Sequence, residues 1–79
     1  MARARFTSKH VHLRALLVKA RKQARLTQAV LAARLNRPQS FVAKYEGGER
    51  RLDVIEFLKV ARAIGFNPGR FLADLERLS

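Results

Sequence analysis

The chain has no cysteine, only two prolines, and not one acidic side chain in its first 25 residues. Without cysteine there can be no disulfide framework and no cysteine-ligated zinc, which fits a reducing compartment. No apolar run approaches the ~20 residues that a membrane-spanning helix needs. The start, "MARARFTSKH", is basic but lacks the apolar stretch of a secretory signal; its arginines and missing acids leave an organellar transit peptide as the minor alternative. At 79 residues the expectation is one small domain with a marginal core.

What the chain does have is positive charge. It carries 17 Lys and Arg against six Asp and Glu, a net charge of +11. The excess is uneven: residues 1–25 contribute +8, residues 26–52 contribute +3, and residues 53–79 are neutral. A skew of this size points to a polyanionic partner, nucleic acid first, met by the first two thirds of the chain. The neutral last third is left for packing or self-association.

No repeat or low-complexity stretch interrupts the chain, and no segment alternates like a strand. Residues 1–8 lack apolar periodicity and read as a flexible basic arm ahead of a domain over 9–79. From His10 to Ala24, the positions Leu13, Leu16, Leu17, Ala20 and Ala24 make a helical stripe, with Arg14, Lys22 and Arg25 assigned to the opposite face. Thr27 suits an N-cap for a second helix from Gln28, whose apolar face is Leu31, Ala32 and Leu35. Asn36 tolerates the left-handed conformation that ends helices, and Pro38 suits the first position of a third helix running to about Glu46. Gly47-Gly48 stops that helix. Asp53 and Glu56 have capping-box spacing before a fourth, with Val54, Phe57, Leu58, Ala61 and Ile64 as its apolar set, widened by Ile55 and Val60. Gly65 ends it, and Asn67-Pro68 opens a fifth lined by Phe71, Leu72, Leu75 and Leu78. The predicted architecture is all-α, a compact five-helix bundle.

Only Asn36, Arg37 and Pro38 separate the second and third helices. So short a connection forces a sharp crossing, the geometry by which helix-turn-helix units present a second helix to the major groove of DNA. Advancing about 100° per residue, Gln39, Ser40, Ala43 and Lys44 fall within an arc of about 140°, while Val42 and Tyr45 point the other way. The first set is polar, with one small residue that permits close approach; the second is apolar and belongs to a core. Gln pairs bidentately with adenine, Lys reaches guanine, and Ser serves as donor or acceptor, so Gln39, Ser40, Ala43 and Lys44 are the candidate base-contacting residues. Phe41 falls at the edge, where a half-buried packing role is favoured over contact with a thymine methyl. Gln28 and the free N–H groups at the start of the second helix suit a phosphate. Arg50 and Arg51 follow the loop and could hold the backbone on the other side.

The motifs "LTQ" at 26–28, "LAARL" at 31–35, "RPQSFVAKYE" at 37–46 and "GERRLD" at 48–53 together give the stretch from Leu13 to Pro68 a resemblance to the phage-repressor (Cro/Xre-type) helix-turn-helix family. The resemblance implies a lambda-repressor-like fold whose members bind operator DNA as twofold dimers and repress transcription. It implies phosphate contact at Gln28 and base contact at Gln39, Ser40 and Lys44, with Ala32 at the crossing of the second and third helices. It also implies an ion pair between Arg21 and Glu46 that fixes the recognition helix and aims an arginine at the backbone. On this reading Arg21, Arg37, Arg50 and Arg51 join Gln28 as phosphate candidates. The implied setting is the cytoplasm of a bacterium, or of a phage-infected one, at the nucleoid.

Four positions depart from the family pattern. Arg25 stands where glycine is frequent, which predicts a strained cap after the first helix. Val30 replaces a frequent glutamate and removes the capping box from Thr27. Asn36 replaces the turn glycine, and Gly47 replaces a common basic residue. All four bear on stability more than on the recognition face.

The leading expectation is therefore a sequence-specific DNA-binding regulator, a repressor acting as a homodimer on double-stranded DNA. Phe71, Leu72, Leu75 and Leu78 are its dimer-interface candidates, with closure of the monomer core as their other use. A second reading is an antitoxin-type module that also binds a protein, a toxin or co-regulator, through the fifth helix or the arm. A third is a sequence-blind binder held by charge alone, with steep salt dependence. An enzyme is not expected: His10 and His12 do not face each other on a helix, and no nucleophile–base pair or phosphate-cradling glycine loop is present. No metal, cofactor or small-molecule ligand is indicated. Control is expected through concentration, a partner protein or degradation.

Overall fold

Local chemistry sets most of the helix boundaries. The computed structural model describes residues 8–78, which form α1 (Ser8–Gln23), α2 (Gln28–Leu35), α3 (Gln39–Gly47), α4 (Val54–Ile64) and α5 (Pro68–Arg77). Among these residues there is no strand. The expected arm over 1–8 lies outside the described residues, except for Ser8, which is the first residue of α1.

Thr27 caps α2, its Oγ1 accepting from the Val30 N–H at 3.1 Å. One half of a capping box thus survives the valine. Asp53 and Glu56 make the complete box on α4, each side chain bonding the other's backbone N–H. Asn67 caps α5 ahead of Pro68. Pro38 is displaced by one position from the expected start: it is the N-cap of α3, with φ −66° and an extended ψ of 154°, and Gln39 opens the helix. The pyrrolidine ring fixes φ only, so proline serves on either side of that boundary.

The stops of α1 to α4 use the left-handed conformation. Gly48 and Gly65 adopt it freely, but Asn36 (φ 58°) and Arg25 (φ 61°) adopt it with a Cβ. After α1, Arg25 N–H bonds the Lys22 carbonyl and Leu26 N–H bonds the Arg21 carbonyl, the paired bonds of a Schellman motif, with Leu26 buried beyond it. Asn36 and Arg37 repeat the pattern after α2, bonding Ala33 and Ala32. Asparagine bears this conformation with little strain; arginine does not.

The core gathers Leu17 from α1, Leu31 and Ala32 from α2, Phe41, Val42 and Tyr45 from α3, Phe57 and Val60 from α4, and Phe71 from α5. Phe57, Phe66 and Phe71 form an aromatic cluster at the α4–α5 corner, with Phe66 stacked on Phe71 at 4.6 Å between centroids. Five residues differ from the sequence expectation. Phe41 is buried rather than at an edge, packing edge-on against Tyr45 at 5.5 Å. On α4 the inward face is Phe57, Val60 and Ala61, while Val54 and Ile55 are 72% and 61% exposed and Leu58 is exposed too. Apolar residues encircle more than half of that helix, so its periodicity alone could not orient it. Arg14, expected on the outer face of α1, is half-buried because Gly48 offers no Cβ to keep it out.

Two long side chains tie helix ends together. Lys9 Nζ donates to the carbonyls of Leu75 and Glu76 at the end of α5, at 3.2 and 2.9 Å. Arg34 Nη1 donates to the Ala63 carbonyl near the end of α4 at 3.0 Å. Each places a cation at the negative end of a helix dipole.

Arg25→Gly should stabilise the domain by about 0.5–1 kcal/mol, the relief of left-handed strain less the backbone entropy of glycine. Thermal denaturation followed by circular dichroism should show a midpoint raised by a few degrees. An unchanged or lower midpoint would mean that Arg25 sits there without strain.

Candidate nucleic-acid interface

The α2–α3 unit presents one polar face to solvent. Gln39, Ser40, Ala43 and Lys44 are all exposed on α3, and Phe41, Val42 and Tyr45 behind them are buried. Ala32, 2% exposed, lies in the α2 surface under α3, where a larger side chain would push the helices apart. The face is thus backed by fixed packing along its whole length, which a surface reading base edges requires.

A polar anchor holds the far end of α3. Glu46 accepts from Arg21 through both oxygens, from Nε at 2.8 Å and Nη2 at 3.1 Å, and from Gln28 Nε2 at 2.9 Å. Arg21 Nη1 also donates to the Leu26 carbonyl at 2.9 Å. Three helices therefore meet on one carboxylate, and Arg21 carries the link on to the α1–α2 turn. Both ionic side chains are nearly enclosed, at 11% and 6% exposure. The bond to Glu46 outweighs the cost of burial and raises the Arg21 pKa above its ordinary value. Three of the five Arg21 N–H donors are committed inside the protein, and Gln28 keeps the second hydrogen of its amide. At the start of α2, Val30 N–H is capped by Thr27 and Leu31 N–H by the Thr27 carbonyl, so the N–H groups of Gln28 and Ala29 are the open donors.

A second cluster flanks the other side of α3. Arg50 donates to both oxygens of Glu56 at 2.9 and 2.7 Å, and Arg37 Nη2 donates to Glu56 Oε2 at 3.1 Å. Both guanidinium groups lie over the Phe41 ring, at 4.2 Å for Arg37 and 4.8 Å for Arg50. The Arg50 hydrogen bonds and the Asp53 backbone N–H hold the Glu56 carboxyl down to about 2. One carboxylate thus orients two arginines and leaves a net positive charge there. Neither Phe41 as a platform nor Glu56 as a gatherer of arginines was found from the sequence; only the capping-box role of Glu56 has a local signal. Arg51 is exposed next to this cluster. Of the α5 residues considered for self-association, Phe71 is buried in the core, Leu75 is half-buried, and Leu72 and Leu78 are exposed.

The family model described as a helix-turn-helix domain matches residues 12–75. The chain belongs to the helix-turn-helix family, Cro/Xre type. A solved XRE-family like protein from Pseudomonas syringae pv. tomato str. DC3000 is similar at 51% identity, over 91% of this chain and 88% of that one, with a TM-score of 0.87. No curated protein sequence matches the chain. Family and fold together make this helix-turn-helix domain a DNA-binding regulator, with α2 and α3 as the defining unit. No helix of the described residues is long and apolar enough to cross a membrane.

Two substitutions test the anchors. Arg21→Met leaves the Glu46 carboxylate enclosed with one amide for company and should cost about 3 kcal/mol in urea unfolding; adding Glu46→Leu should recover much of the loss. If the single and double variants are equally unstable, the pair is not what holds α3. Because the folded Glu56 carboxyl lies below its unfolded value, its contribution is present above the unfolded pKa and fades as pH falls toward about 2. Glu56→Gln should therefore lower the neutral-pH urea midpoint and flatten its decline between about pH 5 and pH 2. Parallel pH profiles for the two proteins would refute that role.

Proposed function

We propose that this helix-turn-helix domain is a sequence-specific transcriptional repressor that inserts α3 into the major groove of a palindromic operator as a homodimer. The observation that carries the reading is the exposed set Gln39, Ser40, Ala43 and Lys44, backed by buried Phe41, Val42 and Tyr45 and anchored through Glu46. Gln39 and Ser40 lie in the N-terminal turn of α3, the part of a recognition helix that meets base edges. Gln39 suits adenine and Lys44 suits guanine; Ala43 leaves room for the groove wall.

Around that face, phosphates are met from two sides. At the start of α2, the open N–H groups of Gln28 and Ala29 and the free amide hydrogen of Gln28 grip one strand. Arg37, Arg50 and Arg51 grip the backbone near the α3–α4 loop, with Glu56 setting the first two in place. Arg21 acts chiefly through Glu46, since its side chain is nearly enclosed and bonded to that carboxylate and to the Leu26 carbonyl.

The homodimer is supported by apolar side chains left exposed on a small domain: Val54, Ile55 and Leu58 on α4, Leu72 on α5 and Leu78 just after it. They lie in the electrically neutral third of the chain, where two copies can approach without repulsion. The proposed setting is a bacterial cytoplasm.

Sites should be selected from a random DNA library at physiological salt. The expected product is one palindromic motif with half-sites about one helical turn apart. On that motif, Gln39→Ala and Lys44→Ala should each cost about 1–3 kcal/mol relative to scrambled DNA, whereas Arg51→Ala should weaken both DNAs alike and reduce the salt slope by about one. Equal losses on both DNAs for the α3 variants would defeat the base-reading assignment. Sedimentation of Leu72→Glu and Ile55→Asp tests the dimer, and a monomeric wild-type protein bound to the motif would remove it.

A further inference from the structure

Helix α1 is apolar on two opposite sides. Leu13, Leu16 and Leu17 turn inward and pack with the core. Val11, Ala15 and Val18 lie half a turn away, on the far side. They floor a shallow groove of about 700 Å³ that follows α1 and ends at Glu46 on α3. Nothing among the described residues closes it: Val11 is 44% exposed, Ala15 is exposed and Val18 is half-buried. With Lys22, the stripe is spaced by four, three and four residues, which is the repeat of a coiled-coil seam.

In such a seam the positions beside the apolar line choose the partner by charge. Here they are Arg14 on one side and Lys19 on the other, and Lys22 stands in the line itself. His12 and Arg21 hold the equivalent places one heptad away but do not border the groove. Among the described residues, none of Arg14, Lys19 and Lys22 is paired with a carboxylate. The one acid at the groove is Glu46, whose oxygens already accept from Arg21 and Gln28. A second copy of the chain would set these cations against their own kind. Residues 1–7 have the same fault, with Arg3 and Arg5 and no acid. The phosphates of a duplex would take the cations but leave the valines uncovered. Bilayers are entered by Trp, Phe or Leu, and this stripe has none of them. An occupant that fits is apolar along one line and negative on both sides of it.

We propose that this groove receives an acidic amphipathic helix from a partner protein. From Val11 to Lys22 the rise is about 17 Å, so about three turns of the partner span the seam. Aliphatic side chains of the partner pack around Ala15, whose small size lets the two backbones approach. Carboxylates on the flanks of the partner helix meet Arg14, Lys19 and Lys22. Such docking is independent of the DNA-binding reading above, since none of Gln39, Ser40, Ala43 and Lys44 borders the groove.

The probe is a synthetic helical peptide of about three heptads, with leucine at the two seam positions and glutamate on both flanks, whose like charges keep it from pairing with itself. It is titrated at physiological salt into the full chain labelled with nitrogen-15. A scrambled peptide of the same composition, phosphatidylglycerol vesicles and a short duplex DNA are titrated in parallel. The expected result is saturable shifts at the amides of Val11, Ala15, Val18 and Lys22 with the first peptide alone. Ala15→Glu should weaken that binding about tenfold by placing an acid in the seam. Lys19→Glu should weaken it as well, and its exposed site keeps the test valid if Ala15→Glu fails to fold. Shifts that never saturate, that the scrambled peptide reproduces, or that survive both substitutions would leave only unspecific charge and overturn the docking. The same set of shifts from vesicles or from duplex would assign the groove to lipid or to nucleic acid and overturn it too. Because binding is read on free protein, its failure is distinguishable from a failure of the DNA-binding reading.

Discussion

Everything the recognition face can do depends on where α3 sits, and Glu46 is the group that decides it at one end. One enclosed carboxylate takes Arg21 from α1 and Gln28 from α2. A buried ion pair of this kind adds little net stability over a well-packed apolar substitute, because both ions lose their water. Its effect is geometric: the bidentate arginine fork fixes distance and direction together. An apolar contact in the same place would tolerate sliding or rotation of α3.

The scarcity of acids gives each one weight. Glu46 sets the helix, Glu56 gathers Arg37 and Arg50 over the Phe41 ring, and Asp53 caps α4. Negative charge is thus spent on positioning positive charge rather than on cancelling it. The same economy accounts for Phe41, whose ring is both a core residue and the floor on which two guanidinium groups rest. A core substitution there would disturb electrostatics on the surface, a link that a division into core and surface residues does not anticipate.

The helices were legible in the sequence because their boundaries are local. Thr27, the Asp53–Glu56 box, Asn67-Pro68 and Gly65 act within one turn of themselves, and each does so here. The separation of α3 into an exposed polar set and a buried set was legible for the same reason, since it follows from helical period. Orientation of α4 was not: Val54, Ile55 and Leu58 are as apolar as Val60, and only tertiary packing decides which side turns inward. Long-range polar contacts left no trace either. Nothing near Glu56 in sequence announces Arg37, nineteen residues away, and nothing near Arg14 announces Gly48.

The Lys9 bonds to the carbonyls of Leu75 and Glu76 bring the first turn of α1 to the last turn of α5. The described chain is therefore nearly a closed ring. A short linker could join its two ends while new ones were opened in an exposed loop, and circular permutation is tolerated best in such geometry. The α3–α4 connection would be a poor choice for the cut, since Arg50 and Asp53 are needed there in place. The same closure means that anything attached before α1 and anything attached after α5 would leave the domain from one corner, and so could meet each other directly.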